Sequence, residues 1–293
     1  MKKINALQLG GTLFVPATHK HLKTIAQGSK FTTLRSVVLD LEDGIGKNEV
    51  AAGIEQIKTL LPTLQNGTLL RFIRPRNPDM LRQLLHLNGI DAIDGFIFPK
   101  FGLDNAEEYL LIIGQQKQKY CFMPSIEGKE LFDTAQQVKL RDLLLPYKES
   151  IPAVRFGAED MFRQLGLRRK CEVPLYDMAA PSFVIGSLLA TFKSSGFDLA
   201  APVYGCYKDH TGFTREAKRD LLEGLVSKTI IHPDQIDLLE SAYMVDKQEL
   251  NAARELIASI DAVFGQSGKM AERTTQSPWA KTVLERAKIY GSF

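Results

Sequence analysis

The chain has 293 residues, 44% of them hydrophobic and 24% charged, with 13 Pro and 22 Gly, as in an ordinary folded protein. Its formal charge of +3 is too small to argue for a nucleic-acid partner. The longest apolar run, FVIGSLLATF, falls far short of the ~20 residues of a membrane span, and MKKINALQLGG lacks a signal-peptide core. No membrane is implied, and the expected location is cytoplasmic.

Short apolar runs alternate with segments of helical period. Strands are predicted over 12–17 (TLFVPA), 36–42 (SVVLDLE), 68–74 (TLLRFIR) and 95–100 (GFIFPK). The series continues over 119–127 (KYCFMPSIE), 153–160 (AVRFGAED), 197–205 (FDLAAPVYG) and 227–233 (SKTIIHP). Helical patterns follow each of the first seven, among them 48–61, MLRQLLHL, SFVIGSLLATFKSSG and REAKRDLLEGL. Eight strand-and-helix units in succession predict an α/β fold, a single (β/α)8 TIM barrel serving as catalytic domain over residues 1–240. Two further helical patterns, QELNAARELIASIDAVF and PWAKTVLERAKIY, are surplus to the barrel and form a C-terminal helical extension over 241–293. Between them lies GQSGKMAERTTQS, read as a polar loop. Cys121, Cys171 and Cys206 are odd in number and widely spaced, so neither a disulfide framework nor a zinc site is predicted.

In such barrels chemistry sits at the C-terminal ends of the strands. Polar residues expected there are Asp40, Glu42 and Asp43 after the second strand, Arg71 and Arg74 on the third, and Lys100 after the fourth. Glu127, Glu159, Asp160 and His232 follow later strands. Crowded carboxylates need a cation, so a divalent metal is expected near Asp43. Lys100, after Pro99, either neutralises the acidic mouth or acts as a Schiff-base nucleophile. His232 reads as a loop anchor. Arg74 and Arg76 extend an anion site or face solvent, and the basic run RQLGLRRK (163–170) is a solvated loop or a site for an anionic carrier such as coenzyme A.

Eight motifs then fall in order: LFVPA (13–17), DLEDG (40–44), RFI with Arg71, FPK (98–100), IEG (126–128), FGAED (156–160), IHPDQI (231–236) and GKM (268–270). With these motifs the chain resembles the citrate lyase beta-subunit-like group of the HpcH/HpaI aldolase family, from about residue 12 to 290. The resemblance implies a lyase or aldolase that uses Mg²⁺, with Mn²⁺ as a substitute, to cleave or form a carbon–carbon bond beside a keto acid or acyl thioester carbonyl. A coenzyme A thioester is one form of that substrate. The family's metal carboxylates fall on Glu127 and Asp160, and its substrate-carboxylate clamp falls on Arg71, suited to the task by its planar fork. Asp43 would accept hydrogen bonds from metal-bound water, and Lys100 would stand beside the substrate.

Two departures matter. The family's seventh-strand Asp is missing from LAAPVYG, with no carboxylate until Asp209, and GKMAE places Glu272 where the family has Asp. That segment reaches a neighbouring subunit's site in the family, so a homo-oligomer, a trimer or hexamer, is expected. The extension would lie at the interface, with Glu272 as acid or base. Alternatives remain at this stage: a thioester hydrolase on the same metal site, a catalytically silent keto-acid-binding barrel, Arg71 as an ion-pair partner of Asp40 or Glu42, and Glu127 and Asp160 as simple helix-start carboxylates.

Overall fold

Parallel strands joined by helices make up most of the computed structural model, which describes residues 3–116 and 119–293. Met1 and Lys2 of the N-terminal stretch considered above lie outside the described residues. In chain order the elements are α1 (Ala6–Leu9), β1 (Gly11–Pro16), α2 (Leu22–Ala26), β2 (Ser36–Asp40), α3 (Val50–Leu60) and β3 (Leu70–Arg74). Then come α4 (Pro78–Leu85), β4 (Gly95–Phe98), α5 (Ala106–Gly114), β5 (Cys121–Ile126), α6 (Thr134–Leu144) and β6 (Arg155–Phe156). They are followed by α7 (Ala158–Leu165), α8 (Ala179–Phe192), α9 (His210–Glu223), β7 (Lys228–Ile230) and α10 (Gln235–Tyr243). The tail comprises α11 (Lys247–Ala258), β8 (Val263–Gln266), β9 (Lys269–Glu272) and α12 (Arg273–Tyr290).

The order β6-β5-β4-β3-β2-β1-β7 runs through one parallel sheet. Its strands are covered on both faces and mostly apolar; every residue of β2, β4 and β5 is buried. Helix starts carry their signals: Asn77 accepts from the Met80 N–H before Pro78, and Asp133, Asp209 and Asp246 cap α6, α9 and α11.

Several expected strands are shorter than their sequence patterns, the sixth and seventh most of all. The sixth retains only Arg155–Phe156, because α7 begins at Ala158. The seventh, 197–205, is reduced to isolated parallel bridges, Val154 with Leu199 and Ala201 with Lys228. The Ala200 N–H donates to Val154 O at 2.9 Å and the Ala201 N–H to Ser227 O at 2.9 Å. Pro202 has no N–H to continue the ladder. No helix among the described residues is long and apolar enough to cross a membrane.

The tail departs from expectation. GQSGKMAERTTQS is not a loop: it supplies most of the β8–β9 hairpin and the first turn of α12. Ser267 and Gly268 form the two-residue connection with φ +49° and +77°, the left-handed pair such a hairpin requires. The ribbon is largely exposed, so its residues need not be apolar. α11, β9 and α12 share an apolar cluster built on Leu250, Ala253, Leu256, Ala271 and Val283. The last turn of α12 packs back against the elements around the parallel sheet, where the Tyr290 hydroxyl donates to Leu7 O and Arg35 Nη2 to Ile289 O.

The cysteine reading is also corrected. Cys171 and Cys206 form a disulfide with Cα atoms 5.9 Å apart, while Cys121 stays free and buried. The partners are 35 residues apart in sequence, and only the fold brings the loop after α7 against the loop before α9.

Candidate active site at the mouth of the barrel

A cleft of about 590 Å³ opens at the C-terminal ends of the strands, with Phe14, Asp43, Arg74, Glu127, Arg155 and Asp160 among its walls. Its acidic corner comes from the end of β2. Asp40 is buried and accepts four hydrogen bonds: Arg74 Nε and Nη2 at 2.6 Å each, and the N–H groups of Glu42 and Gly44 at 3.0 Å. Arg74 Nη1 also lies 3.3 Å from Glu42. Lys100 donates to Glu42 and, at 3.1 Å, to Asp43. Arginine and lysine side chains therefore neutralise this trio, and the divalent metal expected beside Asp43 is not what holds it together. Burial opposes the charge of Arg74, yet Asp40 and Glu42 hold its pKa above the ordinary value. Burial raises Glu42 despite Arg74 and Lys100. Asp43 is lowered, because the contacts with Lys100 and Glu42 outweigh its burial.

Beside this corner stand Glu127, just past β5, and Asp160, in the first turn of α7. Gly157 separates them. A Cβ at Gly157 would come within 2.7 Å of Glu127 Cγ and 3.0 Å of Asp160 Oδ2, so both carboxylate arms converge over a position only glycine leaves open. The Gln164 amide clasps the two residues' backbones, donating to Glu127 O at 2.8 Å and Asp160 O at 3.2 Å. Glu127 Oε2 accepts the Lys100 N–H at 3.2 Å, and Lys100 itself stands in the left-handed region at φ +48°. Burial pushes Glu127 up to about 7, against the opposing pull of Ser125 and Arg74, with Asp160 and Glu42 adding to the rise. A carboxylate so short of positive charge suits a cation. Among the described residues no group of three or more His, Cys, Asp or Glu gathers to hold a metal. Two carboxylates fit Mg²⁺, which keeps waters and substrate oxygens as its remaining ligands.

Arg71 is not where the clamp was expected. Successive strand residues face opposite sides, so Arg71 and Arg74, three apart, point apart. Arg71 is buried behind β3, with Nε donating to Ala26 O at 2.6 Å and Nη1 to Gln65 O at 2.9 Å. It is also not the partner of Asp40 or Glu42, a place Arg74 takes. The Lys100 ammonium is committed to Glu42 and Asp43 and does not line the cleft. Arg76 donates to Glu42 O and Ile45 O, binding the loop after β2. Glu272 ends β9, outside the cleft of its own chain, and its N–H donates to Gln276 Oε1 at 3.2 Å. Asp209 caps α9, and His232 stacks on Tyr207 at 4.5 Å with Nδ1 accepting the Asp234 N–H. Within RQLGLRRK, Arg169 turns inward to Glu216 and over the Tyr204 ring.

One mouth residue escaped the sequence reading. Arg155 lies on β6, only 2% exposed, and its guanidinium lines the cleft. The signal was present: AVRFGAED places arginine at an inward position of an otherwise apolar strand.

A family model described as C–C bond lyases of the TIM-barrel fold matches residues 3–292. A (3S)-malyl-CoA thioesterase of Cereibacter sphaeroides is 22% identical over 290 residues, spanning 96% of this chain and 95% of that protein. The citrate lyase subunit beta of Haemophilus influenzae is 24% identical, spanning 94% and 96%. The crystal structure of CitE from Mycobacterium tuberculosis, in complex with magnesium, acetoacetate and coenzyme A, superposes with a TM-score of 0.70 at 23% identity, covering 96% of this chain and 100% of that one. With that match over nearly its whole length, this chain belongs to the C–C bond lyases of the TIM-barrel fold, a family member of citrate lyase beta-subunit type.

Proposed function

We propose that the chain is a Mg²⁺-dependent carbon–carbon lyase acting beside the carbonyl of a keto acid or acyl thioester. The observation that carries this is the convergence of Glu127 and Asp160 over Gly157 in the mouth. On this reading the segment 198–201 completes an eight-stranded barrel through its bridges to Val154 and Lys228. Glu127 and Asp160 would hold the cation, whose charge would offset the burial that raises the Glu127 pKa. When bound, Mg²⁺ supplies charge stabilisation for the oxygen that turns negative as the bond breaks. Asp43 stands at the rim, ionised through Lys100, and accepts hydrogen bonds from water or substrate hydroxyl there. Arg74 fixes the acidic corner and is not free to bind substrate.

The tail is proposed to serve a neighbouring subunit. Ile260, Val263 and Met270 are exposed around the hairpin that ends at Glu272, an apolar rim that a second copy of the chain would cover. Glu272 would then reach the neighbour's mouth as acid or base, in a homo-oligomer that closes as a trimer or hexamer.

A second reading, hydrolysis of an acyl thioester on the same metal site, is favoured by the malyl-CoA thioesterase relative. One assay separates the two. Incubated with Mg²⁺ and malyl-CoA or citryl-CoA, a lyase yields an acyl-CoA and a keto acid, while a hydrolase yields free thiol and a hydroxy acid. Thiol release without keto acid would replace the lyase reading by the hydrolase one.

A further inference from the structure

Among the cations of the mouth, Arg155 is the one with no carboxylate partner among the described residues. Arg74 is held by Asp40 and Glu42, and Lys100 by Glu42 and Asp43. Arg155 Nη2 donates to Thr229 Oγ1 at 2.7 Å; Nη1 reaches only Thr12 Oγ1 at 3.5 Å and Met123 Sδ at 3.6 Å. Its guanidinium carbon lies 5.4 Å from the centre of the Phe14 ring. Neutral neighbours satisfy little of a five-donor fork. Burial, with the charge of Arg74 added, pulls its pKa down to about 9, which leaves it cationic at neutral pH. A buried charge without a counter-ion is costly to the fold. Its position explains the cost: Arg155 is register partner of Ser125, two residues before Glu127, so it opens into the cleft beside the proposed metal pair.

We infer that Arg155 is the anion-recognising residue of this mouth, clamping a substrate carboxylate distinct from the oxygens that face Glu127 and Asp160. The inference rests on the reading of the mouth as a magnesium-assisted lyase site. A guanidinium fork matches the two oxygens of a carboxylate. A doubly charged phosphate would call for a second free cation, and Arg74 and Lys100 are both engaged. The preferred substrate is therefore a small acid with a carboxylate beyond its metal-facing end. Arg155, on β6, takes the task expected of Arg71 on β3.

The test compares malate with lactate, which differ by one carboxylate, by calorimetry on the Mg²⁺-saturated protein. Wild type should bind malate at least about tenfold more tightly than lactate, the scale of one charged hydrogen-bonded contact. Arg155→Gln should lose about that factor for malate and leave lactate within about twofold, and Arg155→Lys should fall between. Without ligand, Arg155→Gln and Arg155→Met should melt no lower than wild type, because each removes an uncompensated charge. An unchanged malate-to-lactate ratio in Arg155→Gln overturns the assignment, as does failure of wild type to bind either acid. A lower melting temperature with the ratio kept makes Arg155 structural and overturns it too. Mg²⁺ titration without acid separates this from the lyase reading: lost Mg²⁺ binding sinks that reading, and intact Mg²⁺ binding with an unchanged ratio sinks only the role of Arg155.

Discussion

Asp40 and Arg74 are register partners on adjacent parallel strands, and their side chains meet as a two-pronged ion pair with both contacts at 2.6 Å. The Asp40 side chain is 3% exposed, so its charge depends on Arg74. Replacing Arg74 by Met should cost ~3–5 kcal/mol of folding stability, the toll of stranding a buried charge. Urea denaturation measures it, and a loss under ~1 kcal/mol would show that Asp40 finds another partner.

Arg71 should behave differently. Its fork serves the carbonyls of Ala26 and Gln65, not the cleft. Arg71→Lys is expected to lower stability by ~1–3 kcal/mol and leave keto-acid affinity within about twofold. Affinity loss with unchanged stability would restore Arg71 to the mouth.

The raised pKa of Glu127 makes metal-free stability depend on pH. Its folded value of about 7 lies above the ordinary 4.5, so the protonated form is the one the fold tolerates. The contribution is full below about 4.5 and is lost as pH rises through about 7. Wild type and Glu127→Gln should therefore melt alike near pH 4.5. By pH 8 the variant should lead by up to ~3 kcal/mol, the worth of such a shift. Mg²⁺ should remove most of that lead by stabilising wild type alone. Parallel melting curves across this range would contradict the placement of Glu127.

The shared site is tested by mixing. Glu272→Ala and Asp160→Ala are each expected to be inactive alone. After subunit exchange, some interfaces pair an intact metal site with an intact Glu272, so part of the activity should return. No recovery, with exchange confirmed by mass spectrometry, would confine Glu272 to a structural role at the head of α12.

Much of this was legible in the sequence because it lies in short-range pattern. Apolar runs ending in carboxylates marked β2, β5 and β6, and the approach of Glu127 and Asp160 follows from adjacent parallel strands. What was missed depends on side-chain direction or distant contact. Arg71 and Arg74 look equivalent until strand alternation sends them to opposite faces. The Cys171–Cys206 bond joins two loops, 35 residues apart in sequence, that only the fold brings together. The β8–β9 hairpin hid in a polar segment because an exposed ribbon carries little hydrophobic signal, although Ser267-Gly268 marked its turn. Arg155 belongs to no motif, and only its isolation in a buried strand points to the mouth.

The central claim is that Glu127 and Asp160 hold a divalent cation, and calorimetric titration of Mg²⁺ at pH 8 tests it most directly. Wild type should bind a single ion per chain. The Glu127→Gln, Asp160→Asn double variant, with circular dichroism confirming its fold, should show no binding heat over the same range. Equal Mg²⁺ affinity in the two proteins would contradict the account and move the metal away from this pair.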